Sequence, residues 1–326
     1  MSSAARAAAA PRRAPFRFWH EAILMALLAA LLIGARVVAP DFVLVDTQRE
    51  LLLHVWETAL LTLPMTLIII TGGIDLSVGS AMALCAVVLG LAHEAGVPPF
   101  AATSLALAAG LAAGALNGLF VSRAQVHPLL VTLATLAAFR GVAEGVSRGR
   151  PISGFGEGFT ALARQQFLGI PAPAVIFILC AVLAAVVLAR TPLGLSLYAI
   201  GHNETASRYS GIRVDRIKLL LYSLSGLAAG LAAVLFVARR NTAKADVGQG
   251  IELEVIAMVV LGGTSIFGGR GSIFGTLLGI LLIHETREFV SWHWNRDELN
   301  LIVLGILLIL SVLLHRFVSV REREAS

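Results

Sequence analysis

Residues 66–80 read TLIIITGGIDLSVGS. Four apolar residues, Leu67 to Ile70, run into the pair Gly72 and Gly73, and Asp75 and Ser77 follow where the sequence turns apolar again. Two helix breakers and a carboxylate therefore sit inside what reads as a membrane-depth segment. An aspartate at the bilayer centre costs roughly 2.5–3.5 kcal/mol on insertion scales. A structural partner or a function has to offset it.

The rest of the chain supports the membrane setting. Of 326 residues, 57% are hydrophobic and 14% charged, where a soluble domain carries roughly 25% charge. The net charge of +5 is scattered between apolar runs, which suits topology signals better than a phosphate-binding surface, and no nucleic-acid partner is expected. Cys85 and Cys180 lie in apolar runs with no metal spacing and read as buried free thiols.

Apolar segments fall near 22–39, 51–70, 77–92, 98–121, 128–146, 172–189, 218–238, 255–267, 271–290 and 299–315. The expectation is an all-α polytopic membrane protein of about ten transmembrane helices, with eight or nine as alternatives. Segments 77–92 and 255–267 fall short of the roughly 20 residues of a straight span and suit half-helices or re-entrant pieces. The chain divides into a basic cytoplasmic arm at 1–21 with Arg6, Arg12, Arg13 and Arg17, a transmembrane domain at 22–315, and a tail at 316–326. Arg190, Arg208, Arg213 and Arg216 mark the 190–217 loop as cytoplasmic, and Arg316, Arg321 and Arg323 do the same for the tail. Arg239, Arg240 and Lys244 would then face outward, against the rule.

Three segments repeat small residues every four positions: Gly110, Gly114 and Gly118; Gly226 and Gly230; Gly271, Gly275 and Gly279. Each set lies on one helix face and admits a neighbouring backbone, which is packing chemistry without substrate information. GLAAGALNGLFVSR (110–123) and GLAAGLAAVLFVAR (226–239) are alike, by internal duplication or by shared composition. A second Gly-rich break, LGGTSIFGGRGS at 261–272, presents Gly262, Gly263, Thr264 and Ser265. Broken segments in both halves of a chain point to a transport pathway.

Several chemistries are missing. No GxxxxGK[ST], HExxH or GxSxG occurs, and the only lysines are Lys218 and Lys244. No enzyme activity and no cofactor or metal is expected in this chain. Arg140 and Glu144, like His284 and Glu288, are four apart and read as local helix pairs rather than a proton relay.

The 190–217 loop holds a punctuated helix. Asn203 suits the N-cap, Glu204 the first turn, Arg208 the last turn and Gly211 the left-handed stop. About two turns are too short to stand alone in water, so this helix packs against its own protein or a partner.

YAIGHNETASRYSGI (198–212), GGIDLSVGS (72–80), PLLVTLATLAAFRG (128–141), PISGF (151–155) and VVLGGTSIFGGRGSIFGTLLG (259–279) together resemble the ribose-type permeases. These are the membrane subunits of bacterial ABC importers for monosaccharides. The resemblance covers about residues 50–315. It implies a dimeric channel in the inner membrane, made with a second copy or a paralogue. It also implies two ATPase subunits that bind ATP-Mg and a periplasmic sugar-binding protein. The helix around Gly201, Asn203, Glu204, Thr205, Ala206, Ser207, Arg208 and Gly211 matches the family's ATPase-coupling site, with Glu204 and Arg208 expected at the rim of the ATPase groove. Thr205 and Ser207 stand where relatives more often have Ala.

Asp75 keeps two readings. In the preferred one it caps the helix after the Gly pair through the amides of Ser77 or Val78; in the other it faces the pathway and meets a sugar hydroxyl. LLIHETREFVSWHWNRDELN (281–300), with Trp292, His293, Trp294, Arg296 and Asp297, looks most like the rhamnose-importer branch, with autoinducer-2 permeases as near neighbours. Rhamnose is the favoured substrate; ribose, another pentose or hexose, and autoinducer-2 are the alternatives. Rival classes are a self-sufficient secondary carrier and a membrane scaffold.

Overall fold

A computed structural model describes residues 19–294, 296, 298–307 and 309. The arginines of the N-terminal arm and of the tail, and Asp297, lie outside the described residues.

Among the described residues, each of the ten apolar segments overlaps a helix. They are α1 (Trp19–Val38), α3 (Trp56–Ile70), α4 (Val78–Glu94), α5 (Pro99–Ser122), α6 (Pro128–Ser147), α8 (Ala172–Arg190), α11 (Val214–Arg240), α12 (Ile251–Leu261), α13 (Ile273–Trp294) and α14 (Glu298–Leu307). The short α2 (Val45–Leu51), α7 (Glu157–Arg164), α9 (Pro192–His202) and α10 (Glu204–Tyr209) fill the connections. Prolines at the first or second position start α5, α6, α8 and α9, where the missing N–H costs nothing. Two small antiparallel pairs join Ile152–Ser153 (β1) to Thr242–Ala243 (β4) and Gln166–Phe167 (β2) to Ile170–Pro171 (β3).

Among the described residues, α1, α5, α6, α8 and α11 are each long and apolar enough to cross a membrane. The pair of α2 with its 3-10 extension and α3 passes the same test only when taken together, and the two bend by 57° against each other, the form of a broken span or a re-entrant loop. Leu130, Leu133, Val142 and Val146 of α6 and Leu179, Val182 and Leu183 of α8 are exposed, a surface that hydrocarbon and not water satisfies. The protein is an all-α polytopic membrane protein.

The core forms around α3 and α11. Every residue of α3 from Glu57 to Ile70 is buried, and its hydroxyls bond back into the helix. Thr62 donates to the Ala59 carbonyl at 2.6 Å and Thr66 to the Thr62 carbonyl at 2.7 Å. The glycine stripes sit where helices touch. A methyl on Gly110 or Gly114 would strike the α11 backbone at Gly226 and Tyr222, and one on Gly118 would meet Leu219. Gly275 and Gly279 leave room for α12 at Gly262 and Met258, and Gly271 for Thr264 and Ile70.

Segment 255–267 holds a helix of half-span length, as expected: it runs from Ile251 to Leu261, about 16 Å at 1.5 Å per residue, and stops before the Gly pair. Three other expectations are corrected. Segment 77–92, in contrast, is a 17-residue helix, close to a full span. Arg140 makes no ion pair with Glu144 and instead donates through one guanidinium nitrogen to the carbonyls of Ala245 and Val247. Cys180 is only half-buried, at the margin of the core that α8 packs against, whereas Cys85 is buried.

Candidate functional site

Three helices at one end of the bundle stop by the same device, which also closes α4 at Gly96. After α3, the amides of Gly72 and Gly73 reach back to the carbonyls of Ile69 at 2.9 Å and Ile68 at 3.1 Å. After α12, Gly263 and Thr264 reach Val260 at 2.9 Å and Val259 at 3.2 Å. After α10, Gly211 and Ile212 reach Arg208 and Ser207, both at 3.1 Å. In each the residue past the cap is a left-handed glycine, with φ of 80° at Gly72, 92° at Gly263 and 82° at Gly211. This is the Schellman stop, which pairs the last carbonyls of a helix where water is scarce.

The three stops lie at one end of the bundle and two of them touch. The Gly269 amide donates to the Ile70 carbonyl at 2.8 Å, joining the second break to the end of α3. Gly201, near the end of α9, is pressed against both Ile70 and Gly269, and a methyl there would collide with their backbones. Tyr198 of α9 donates to the Gly271 carbonyl at 2.8 Å. The loop around α10 is thus packed directly onto both breaks. Sequence reasoning had no signal for this convergence, and it also missed α9, whose Thr191–Pro192 start is a legible one.

Within α10, Asn203 accepts the Ala206 amide at 2.9 Å. Glu204 accepts Arg208 at 2.9 Å and Lys218 of α11 at 2.6 Å, and Arg208 also pairs with Asp215 at 2.7 Å. Burial pushes the Glu204 carboxyl up, but the hydrogen bonds and charges of Lys218 and Arg208 outweigh it and hold the group below the ordinary glutamate range. Both charged residues are engaged within the chain, with about a third of each side chain still exposed. Ser207 is buried, and Thr205, Ala206, Tyr209 and Ser210 form the exposed face.

Asp75 is fully enclosed. Its Oδ1 accepts the Ser77 amide at 3.0 Å and the Ser77 hydroxyl at 2.7 Å, and its Oδ2 accepts the Ser225 hydroxyl of α11 at 2.8 Å. Asn117 of α5 donates to the Ser77 hydroxyl at 2.7 Å. The carboxylate meets one amide and two hydroxyls, joins α4 to α11, and takes its offset from these donors. Thr264 and Ser265 are buried in the second break.

The opposite end carries the β1–β4 pair and the stack of His93 on Phe155, with centroids 4.4 Å apart. Arg239, which breaks the charge rule, is neutralised there by Glu57 at 2.8 Å. His284 stands 4.0 Å from Glu288, and Arg287 pairs with Glu254. Among the described residues no cluster of His, Cys, Asp and Glu has the arrangement of a metal site.

A sequence profile for the family described as "Branched-chain amino acid transport system / permease component" matches residues 49–312. The ribose import permease protein RbsC of Bacillus subtilis is 40% identical over 291 residues, covering 89% of this chain and 90% of that protein. The autoinducer 2 import system permease protein LsrD of Yersinia enterocolitica is 38% identical over 268 residues, covering 79% and 81%. Its counterpart in Yersinia pseudotuberculosis serotype O:3 is 37% identical with 79% and 80% coverage. No solved structure matches. The chain belongs to this permease family, and within it to the ribose-type permeases, the non-enzymatic membrane subunits of monosaccharide ABC importers.

Proposed function

We propose that this chain is the translocating subunit for a small monosaccharide or monosaccharide-like polyol in an inner-membrane importer. A periplasmic binding protein delivers the substrate and a separate ATPase, loaded with ATP-Mg, drives the cycle. The observation that carries this is the construction of α10, a helix of six residues. It is capped at both ends, tied by Glu204 and Arg208 to α11, packed through α9 onto both Gly-rich breaks, and open on its outer face. A partner that moves α10 moves the ends of α3 and α12 with it, so energy enters by rigid-body motion.

In this reading the α10 end of the bundle is cytoplasmic, as are both termini, and the pore forms with a second copy or a paralogue. Asp75 acts as a fastener between α4 and α11 rather than as a sugar ligand. The relatives named above handle ribose and autoinducer 2, and neither is a rhamnose permease. These two substrates therefore stand ahead of rhamnose, which rests on residues 281–300 alone. The test is uptake of labelled ribose by cells holding the complete transporter, challenged with an excess of unlabelled autoinducer 2 or rhamnose. Ribose-type specificity predicts ribose uptake that rhamnose does not depress; strong competition by rhamnose would restore the sequence expectation.

A further inference from the structure

The turn after α12 does more than interrupt a helix. Ser265 donates its amide to the Arg270 carbonyl at 3.0 Å, and the Gly268 amide donates to Ser265 at 2.9 Å, closing a loop around residues 265–270. Gly268 and Gly269 take left-handed φ values of 84° and 76°, which no ordinary side chain adopts at low cost. Thr264 and Ser265 point inward and are buried, yet Phe267 at the apex is 87% exposed. It stands beside the α9–α10 corner, since Gly268 packs on Gly201 and Gly269 on the His202 ring. Tyr209 of α10, 89% exposed, is a second bare ring at the same end of the bundle.

A phenylalanine held out on a turn closed by these bonds is largely ordered before any partner arrives, so docking it costs little further entropy. Rigid aromatic side chains of this kind are what protein interfaces use as anchors. We propose that Phe267 is a second docking point for the ATPase subunit, continuous with the exposed face of α10. This deepens the proposed function and rests on it. The amide of Gly269 is bonded to the end of α3 and the turn itself continues α12. A push on Phe267 therefore reaches both broken helices without passing through α10. The ATPase would grip the permease at two points, one leading to α9 and α11 and the other to α3 and α12.

The experiment places a photo-crosslinking phenylalanine analogue at Phe267, and separately at Thr205, in the full transporter in native membranes. Capture of the ATPase from both positions is expected. Phe267→Ala should weaken ATPase retention on purification by about tenfold, as an anchor residue does, while Phe267→Tyr restores it and the amount of inserted permease stays unchanged. Capture of the ATPase from Thr205 while Phe267 yields only lipid or permease overturns the second docking point and leaves the proposed function standing. Capture from neither position overturns both. Capture from Phe267 alone keeps this contact and removes the role given to α10.

Discussion

Asp75 shows how a buried charge is made tolerable without a counter-cation. Its two oxygens take three donors, from Ser77 twice and Ser225 once, and Asn117 in turn supports Ser77. Asp75→Asn keeps an acceptor for the Ser77 pair and offers an amide to the Ser225 hydroxyl, so assembly and most transport should survive. Asp75→Leu strands those donors, at about 1–3 kcal/mol for each buried group left unpaired, and should sharply lower the yield of folded protein in detergent. Size-exclusion chromatography beside uptake separates the outcomes. An Asn variant that assembles normally and transports nothing would make Asp75 a pathway residue. The Ser77 partner was legible, being two residues away on an Asx-type turn; Ser225 was not, because nothing in sequence aligns positions 75 and 225.

At the scale of elements, hydropathy located the spans and glycine located the stops. Gly72, Gly211 and Gly263 could be read directly, since a left-handed residue must follow a Schellman-closed helix. What sequence could not supply was the partner of each stripe: Gly110 and Gly114 turned out to face Gly226 across α5 and α11. Nor could it show that Glu204 and Arg208 serve the chain itself. That ionic lock makes a pH prediction. Because the Glu204 carboxyl is held below its ordinary value, its stabilisation is complete above the unfolded value of about 4.3 and fades as pH falls through the lower, folded value. Protection of the amides from 204 to 212, corrected for intrinsic exchange, should hold near neutrality and drop in acid. Glu204→Gln should show the lower protection already at pH 7. Equal protection in the two proteins at pH 7 would mean that caps alone hold α10.

For the whole molecule, the class was legible from five sequence blocks in order, and the family match over residues 49–312 covers the same ground. The finer substrate was not, because residues 281–300 carry an aromatic and charged set that suits a membrane interface as well as a sugar. Phe289 lies edge-on to Phe42, with centroids 5.3 Å apart, and stacks on His293 at 5.9 Å, so part of that set is spent on packing. The three-way junction of α9, which leads into α10, with the two breaks is a tertiary fact, and it gives the importer reading its mechanical content. The most direct test is sugar uptake by cells in which ATP is depleted while the proton gradient is clamped, and by cells in which the gradient is collapsed with ATP maintained. Uptake should stop in the first and persist in the second. The reverse pattern would make the chain a self-sufficient carrier and contradict the account.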